Sequence, residues 1–250
     1  MRRLIKWIAP MFLLAALPLP AAEVLAVGSE FAGIFEASEA NGYTGLGVEI
    51  VRQLAQKNGD TVRFELYPWN RAQWMVENGY AQVLIGPYKT AEREGKFKFS
   101  ARPFYRDILA FYTRQGSNVG WNGDYASLRT RKVAVINGWA YGEAFEAART
   151  QIKPELVHTL SNGLTMLAAG RIDLLATNLR NSEAQLRKLD LKLGFAIVAP
   201  LIDTQDGYLA YCRSTCERMR QAYDDSFEQM RVSGDLSALA RRFEVRLPTP

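Results

Sequence analysis

The chain has 250 residues, 48% of them hydrophobic and 23% charged, with 19 glycines and 10 prolines. That balance excludes disordered, collagen-like and coiled-coil classes. Two cysteines and one histidine, His158, cannot supply a four-ligand zinc site with the usual spacings, and a hydrolase with a histidine base would depend on His158 alone.

The formal charge of +5 suggests a polyanion partner until the N-terminus is read. Arg2, Arg3 and Lys6 precede an apolar run from Trp7 to Leu19, and Pro20-Ala21-Ala22 closes it with small residues. This pattern predicts a cleaved secretory signal peptide over residues 1–22. The run is too short to span a bilayer and is interrupted by Pro10 and Pro18. Cleavage removes three positive charges and no acid, leaving a net charge near +2 that calls for no nucleic acid. The expected product is exported to the periplasm, with no later segment apolar enough to cross a membrane.

In chain order, Glu23 to Gly28 is a strand candidate, and Val48, Val51, Leu54 and Ala55 recur at helical spacing until Gly59. Val62, Phe64 and Leu66 alternate as a strand. A helix begins near Trp69 and stops at Gly79, and Gln82-Val83-Leu84-Ile85 is the next strand. This rhythm predicts a largely parallel sheet flanked by helices. It resumes after a polar stretch from Gln115 to Tyr125, with a strand at Lys132 to Ile136 and a helix from Tyr141 to Arg149. A helix from Gly163 to Gly170 and a strand at Asp173 to Ala176 follow. Met219, Ala222, Tyr223, Phe227 and Met230 mark a long amphipathic helix ended by Gly234, with Asp235 able to cap another turn or two before Phe243. Trp74–Gly86 and Thr165–Thr177 share one plan of helix, glycine stop and strand, which suggests two α/β lobes built alike.

In open α/β sheets ligands bind beyond the carboxyl ends of the strands, which selects the loops Ser29–Gly33, Gly86–Arg93, Asn137–Gly142 and Thr177–Arg180. Thr90 is a suitable N-cap that places Arg93 in a first helical turn, against the helix dipole. A cation there favours a nearby anion, and a guanidinium can grip a carboxylate with two parallel bonds; a solvated arginine on a surface turn is the alternative. Trp69, directly after a strand, reads as an aromatic cleft wall or as core. Arg71 faces the cleft or lies on the helix surface. Phe31, Tyr88, Trp139 and Tyr141 add aromatics to these loops, and Glu30 and Asn178 offer acceptors. No P-loop, GxGxxG or GxSxG is present, and no cofactor is expected. His158 has no partners in sequence and reads as structural or surface, and the short basic runs Arg129–Lys132 and Arg241-Arg242 as solvated. Cys212 and Cys216 stand at a strand-to-helix transition, where in an oxidising compartment they can close a local disulfide.

The order of these pieces resembles the extracytoplasmic solute-binding proteins of family 3, the polar amino-acid group serving ABC importers. The resemblance covers nearly all of Val24 to Val245. It rests on Gly45-Leu46-Gly47-Val48-Glu49-Ile50, Gly86 through Thr90-Ala91-Glu92-Arg93, Phe99-Ser100-Ala101-Arg102-Pro103-Phe104-Tyr105, Lys132-Val133-Ala134-Val135, Leu167 to Asp173 and Gly234-Asp235-Leu236. It implies an α/β, two-lobed periplasmic-binding-protein-like fold of type II with a ligand cleft between hinged lobes. The first lobe would hold residues 23–107 and 205–250 and the second 108–204. By the same resemblance Arg93 would bind a ligand carboxylate, Trp69 would form an aromatic wall, and Gly86 and Tyr88 would hydrogen-bond the ligand. The chain departs from the family where Asn178 replaces an aspartate that binds an α-ammonium, where Tyr88 replaces a threonine, and where Asn137-Gly138-Trp139-Ala140-Tyr141 is bulkier than usual. These departures turn the expected ligand from an ordinary L-amino acid toward another small carboxylate, a modified amino acid or a planar compound. The implied protein is a monomer, is not an enzyme, and partners an ABC permease or a membrane sensor. The competing expectation is an enzyme on the same fold, resembling cyclohexadienyl dehydratases, with a buried Glu30 as acid/base.

Overall fold

A computed structural model describes residues 23–40, 42–189 and 194–249. The expected signal peptide, residues 1–22, lies outside the described residues. Among the described residues no helix is long and apolar enough to cross a membrane.

The chain opens with β1 (Glu23–Gly28), a short hairpin of β2 (Glu36–Ser38) and β3 (Gly42–Thr44), and α1 (Leu46–Asn58). It continues through β4 (Thr61–Leu66), α2 (Trp69–Glu77), β5 (Val83–Tyr88), α3 (Ala91–Lys96), β6 (Lys98–Phe99) and β7 (Tyr105–Arg114). Next come β8 (Val133–Ile136), α4 (Glu143–Ile152), β9 (Glu155–Val157), α5 (Leu160–Ala168), β10 (Leu174–Asn178) and α6 (Leu179–Lys188). The long β11 (Phe195–Tyr211) leads to α7 (Glu217–Ser233) and α8 (Asp235–Arg242).

These strands hydrogen-bond in the order β4-β1-β5-β11-β7-β10-β8-β9, with β6 also on β11. The β4-β1-β5 group is parallel, as is the β10-β8-β9 group. Between them β7 and β11 run antiparallel to one another from Phe195↔Arg114 to Gly207↔Tyr105. Two parallel groups joined by one antiparallel pair make the two-lobed α/β fold that the resemblance implies. Each parallel group is covered by helices because its strands bury both faces; every residue of β5 and of β10 is buried.

Apolar spacing explains the helices. In α1 the residues Val48, Ile50, Val51, Leu54 and Ala55 are buried, and Gly59 ends the helix at φ 74°, a left-handed turn that glycine adopts without steric cost. Two helices start elsewhere than expected. The first turn of α5 begins at Leu160, because the Thr159 hydroxyl accepts from the backbone N–H of Asn162 at 3.1 Å; Gly163 lies inside the helix, packed against Leu175. Helix α4 begins at Glu143, after Tyr141. Asp235 is the first residue of α8, whose N-cap is Gly234. Cys212 and Cys216 form a disulfide across a Cα–Cα distance of 5.4 Å, joining the end of β11 to the start of α7.

Candidate functional site

The loops after the parallel strands converge between the lobes. Phe31 follows β1, Trp69 opens α2 after β4, and Trp139 follows β8. Their rings meet, with centroids 6.1 Å apart for Phe31–Trp69 and 5.3 Å for Phe31–Trp139. Thr90 caps α3 by accepting from the Arg93 backbone N–H at 3.2 Å, which fixes Arg93 in the first turn with its side chain turned inward. The Arg93 guanidinium lies 5.6 Å from the Trp69 ring centroid. It donates through Nη1 to the Tyr88 carbonyl and through Nη2 to the Gly138 carbonyl, each at 2.8 Å. The Trp69 indole N–H also donates to the Gly138 carbonyl, at 3.0 Å. One second-lobe carbonyl therefore joins two first-lobe side chains. Gly138 sits at φ 79°, and a Cβ there would collide with the Asn70 side chain, so this close approach needs glycine.

Two charged residues are buried among the described residues, Arg93 at 6% exposure and Asp107 at 2%. Asp107, on β7, is paired. Its oxygens accept from Arg180 Nε at 2.9 Å and Nη2 at 2.7 Å, and the Tyr88 hydroxyl donates to it at 2.7 Å. Burial alone would weaken the proton affinity of Arg180, but the facing Asp107 carboxylate outweighs it and the pKa is raised. The Tyr88 hydroxyl is held well above its ordinary pKa by burial and by Asp107. Arg93 stands differently. No carboxylate among the described residues lies within ion-pair distance of it, and burial lowers its pKa. Two of its five N–H groups donate to backbone carbonyls, which leaves a nearly dry cation without a counter-ion.

A second set of bonds ties the lobes beside this bridge. Asn181 accepts from the Ala32 N–H at 2.8 Å, and Arg180 donates to the Ala32 carbonyl. The Asn178 side chain caps α6, accepting from the Asn181 N–H at 2.9 Å while donating to the Tyr88 hydroxyl at 3.3 Å.

Two cavities open on this bridge and share Asn70, Ile136, Asn137 and Trp139 as lining. The larger, about 1200 Å³, reaches Arg93 and Trp74; the other, about 810 Å³, runs along Phe31, Trp69 and His158.

Of the candidates read from the sequence, Arg93, Trp69, Phe31 and Trp139 come together here. Tyr88 is adjacent, its carbonyl on Arg93 and its hydroxyl on Asp107. Gly86 is buried, and its carbonyl accepts from the Tyr105 hydroxyl at 2.6 Å. Three expectations are corrected. Arg71 is exposed on α2 with its guanidinium 4.4 Å from the Trp74 ring centroid, outside the lining of either cavity. Tyr141 is core, fully buried, its hydroxyl accepting from the Ile136 N–H at 2.8 Å. Asn178 is fully buried and lines neither cavity, its oxygen capping α6. Glu30 stands exposed at the rim of the smaller cavity, without the burial that the acid/base alternative requires. Asp107, Arg180, Asn70 and Asn181 are the residues that sequence reasoning missed. A lone acid within the otherwise apolar run Ile108 to Tyr112 and its flank was the available signal for Asp107, and Arg180 closes a loop that the strand-end rule had already selected.

The sequence model described as "Bacterial extracellular solute-binding proteins, family 3" matches residues 32–245. No curated protein matches the chain. Among solved structures, a histidine kinase sensor domain with similarity to periplasmic binding proteins superposes with a TM-score of 0.80 at 22% identity, covering 92% of this chain and 98% of its own. An ancestral arginine-binding protein bound to arginine gives a TM-score of 0.75 at 17% identity, with 89% and 98% covered. A substrate-binding protein of an ABC uptake transporter from Streptococcus pneumoniae, with bound histidine, gives 0.74 at 16%, with 88% and 92% covered.

Proposed function

The chain belongs to the bacterial extracellular solute-binding proteins, family 3, and on that footing we propose that it captures a small carboxylate-bearing solute between two hinged lobes in the periplasm, for import by an ABC permease. The observation that carries this reading is Arg93, a buried guanidinium with free donors, an aromatic wall and no carboxylate partner among the described residues. A carboxylate at this point would supply the missing counter-charge and accept charge-assisted bonds. Phe31, Trp69 and Trp139 would enclose the body of the ligand. The same reading divides the lobes at 107/108 and 204/205, two positions that face each other as Asp107↔Gln205 and Ile108↔Thr204 in the crossing pair. Export would follow from the signal peptide expected over residues 1–22.

The reading is of a binder without turnover, so prephenate should be recovered unchanged after incubation. Ligand sensing for a membrane kinase is a second reading, favoured by the likeness to a sensor domain. Both use the same cleft. Stimulation of a permease's ATP hydrolysis, as against a kinase's autophosphorylation, separates them.

The test is thermal unfolding against a panel of amino acids and organic acids. A ligand at a hundred times its Kd adds about 2.7 kcal/mol, a rise in Tm of about 5–10 °C for a chain of this size. Arg93→Ala should abolish that rise with little change in the Tm of the free protein. An Arg93→Ala protein that keeps the full rise would contradict the role given to the guanidinium.

A further inference from the structure

We propose that the solute carries its negative charge without an ammonium group beside it, so that the cleft selects an organic acid with a planar or aromatic body over the corresponding amino acid. This inference rests on the cleft being an anion site. Its ground is the charge balance inside the cleft. Arg93 and Asp107 are the buried charged residues among those described. Asp107 is paired with Arg180, which gives it two bonds, and takes a third from Tyr88. Arg93 meets only carbonyls. The interior therefore holds one uncompensated cation and no uncompensated anion.

An α-amino acid brings a carboxylate and an ammonium one carbon apart. With its carboxylate on Arg93, its ammonium would lie close to a like charge, with no buried acid free to receive it; both effects oppose binding. Asn178 cannot substitute, because it is neutral and fully buried, held between the Asn181 N–H and the Tyr88 hydroxyl. The remaining acids near the cavities do not fill the gap. Glu30, Glu77 and Glu143 are exposed, Glu92 is exposed and paired with Lys96 at 2.6 Å, and Glu36 accepts from the Gly33 N–H at 2.7 Å. Glu146 is paired with Arg149 at 2.6 Å, and Asp203 accepts from the Thr204 N–H at 2.7 Å and from Gln205 at 2.6 Å. Arg180 supplies, from the protein's own chain, the counter-charge of Asp107. Phe31, Trp69 and Trp139 offer ring faces and edges for the uncharged remainder of the ligand.

Isothermal titration of the mature protein with matched pairs tests the proposal: phenylpyruvate and 3-phenylpropanoate against L-phenylalanine, and 4-methyl-2-oxopentanoate against L-leucine. At least one acid should bind tenfold or more tightly than its amino acid, and Arg93→Ala should lose that binding. An amino acid that binds more tightly than its deaminated partners, through Arg93, would overturn this inference and leave the anion-binding reading standing. Failure of every acid and every amino acid to bind would overturn both. Arg180→Gln frees Asp107, and should narrow or reverse the preference toward L-phenylalanine. A preference unchanged in a folded Arg180→Gln protein would count against the part given to Arg180, and the wild-type pairs decide the proposal if that variant does not fold.

Discussion

Arg93 and Asp107 are both buried, yet one is paired and the other is not, and the proposed ligand contact falls to the unpaired one. Removing one member of a buried pair leaves the other charge stranded, which costs more than the pair is worth. Asp107→Asn should therefore lower unfolding free energy by about 3 kcal/mol in urea denaturation. Asp107→Asn combined with Arg180→Met should recover part of that loss, and strict additivity of the two single changes would show that the ion pair is not coupled. Arg93 was legible in the sequence because a cation in the first turn of a capped helix opposes the dipole and so calls for an explanation. Asp107 was not, because a carboxylate in a strand carries no sign of its partner when that partner, Arg180, is 73 residues away. Arg71 and Tyr141 show the opposite limit. Proximity to a cleft motif does not say which way a side chain faces, and the Tyr141 hydroxyl is consumed by a strand N–H.

Among the elements, the loop after β8 carries the contact on which the proposed closure would depend. Its Gly138 carbonyl receives both Trp69 and Arg93, and its Cα faces Asn70 too closely for a side chain. Gly138→Ala should fold, since a non-glycine residue at positive φ costs about 1–2 kcal/mol. Its ligand affinity should fall by tenfold or more, because the added methyl obstructs the approach of the lobes; titration with an unchanged Kd would show that this contact is not part of the bound state. Strands and helices with one steady period, such as β1, α1, β4 and α2, could be read from spacing alone. The crossing strands could not. β11 changes partner along its length, pairing with β7 and then with β5, with a register shift between Val198 and Asp203. Its middle, including Asp203-Thr204-Gln205-Asp206, is polar and exposed or half-buried, and so resembles a loop. Very short strands such as β6, β2 and β3 exist only through their partners, which no local pattern reveals.

At the scale of the molecule, two α/β lobes meet through a pair of antiparallel strands, and a second-lobe carbonyl rests on first-lobe side chains. A narrow two-strand connection permits hinge motion, and the bonds to Gly138 and Ala32 define a closed arrangement. A ligand favours closure only so far as it binds the closed form more tightly than the open one. An anion satisfying Arg93 under the Gly138 loop would do so. The repeated plan of Trp74–Gly86 and Thr165–Thr177 made the two lobes legible, and the strand-end rule located the cleft between them. The charge balance within the cleft was not legible, because it depends on which arginine finds a carboxylate. The most direct measurement is a crystal structure with the tightest-binding acid of the panel. The account predicts its carboxylate on the Arg93 guanidinium, its body among Phe31, Trp69 and Trp139, and Arg180 still on Asp107. A ligand seated away from Arg93, or an ammonium held by Asp107 with Arg180 displaced, would contradict it.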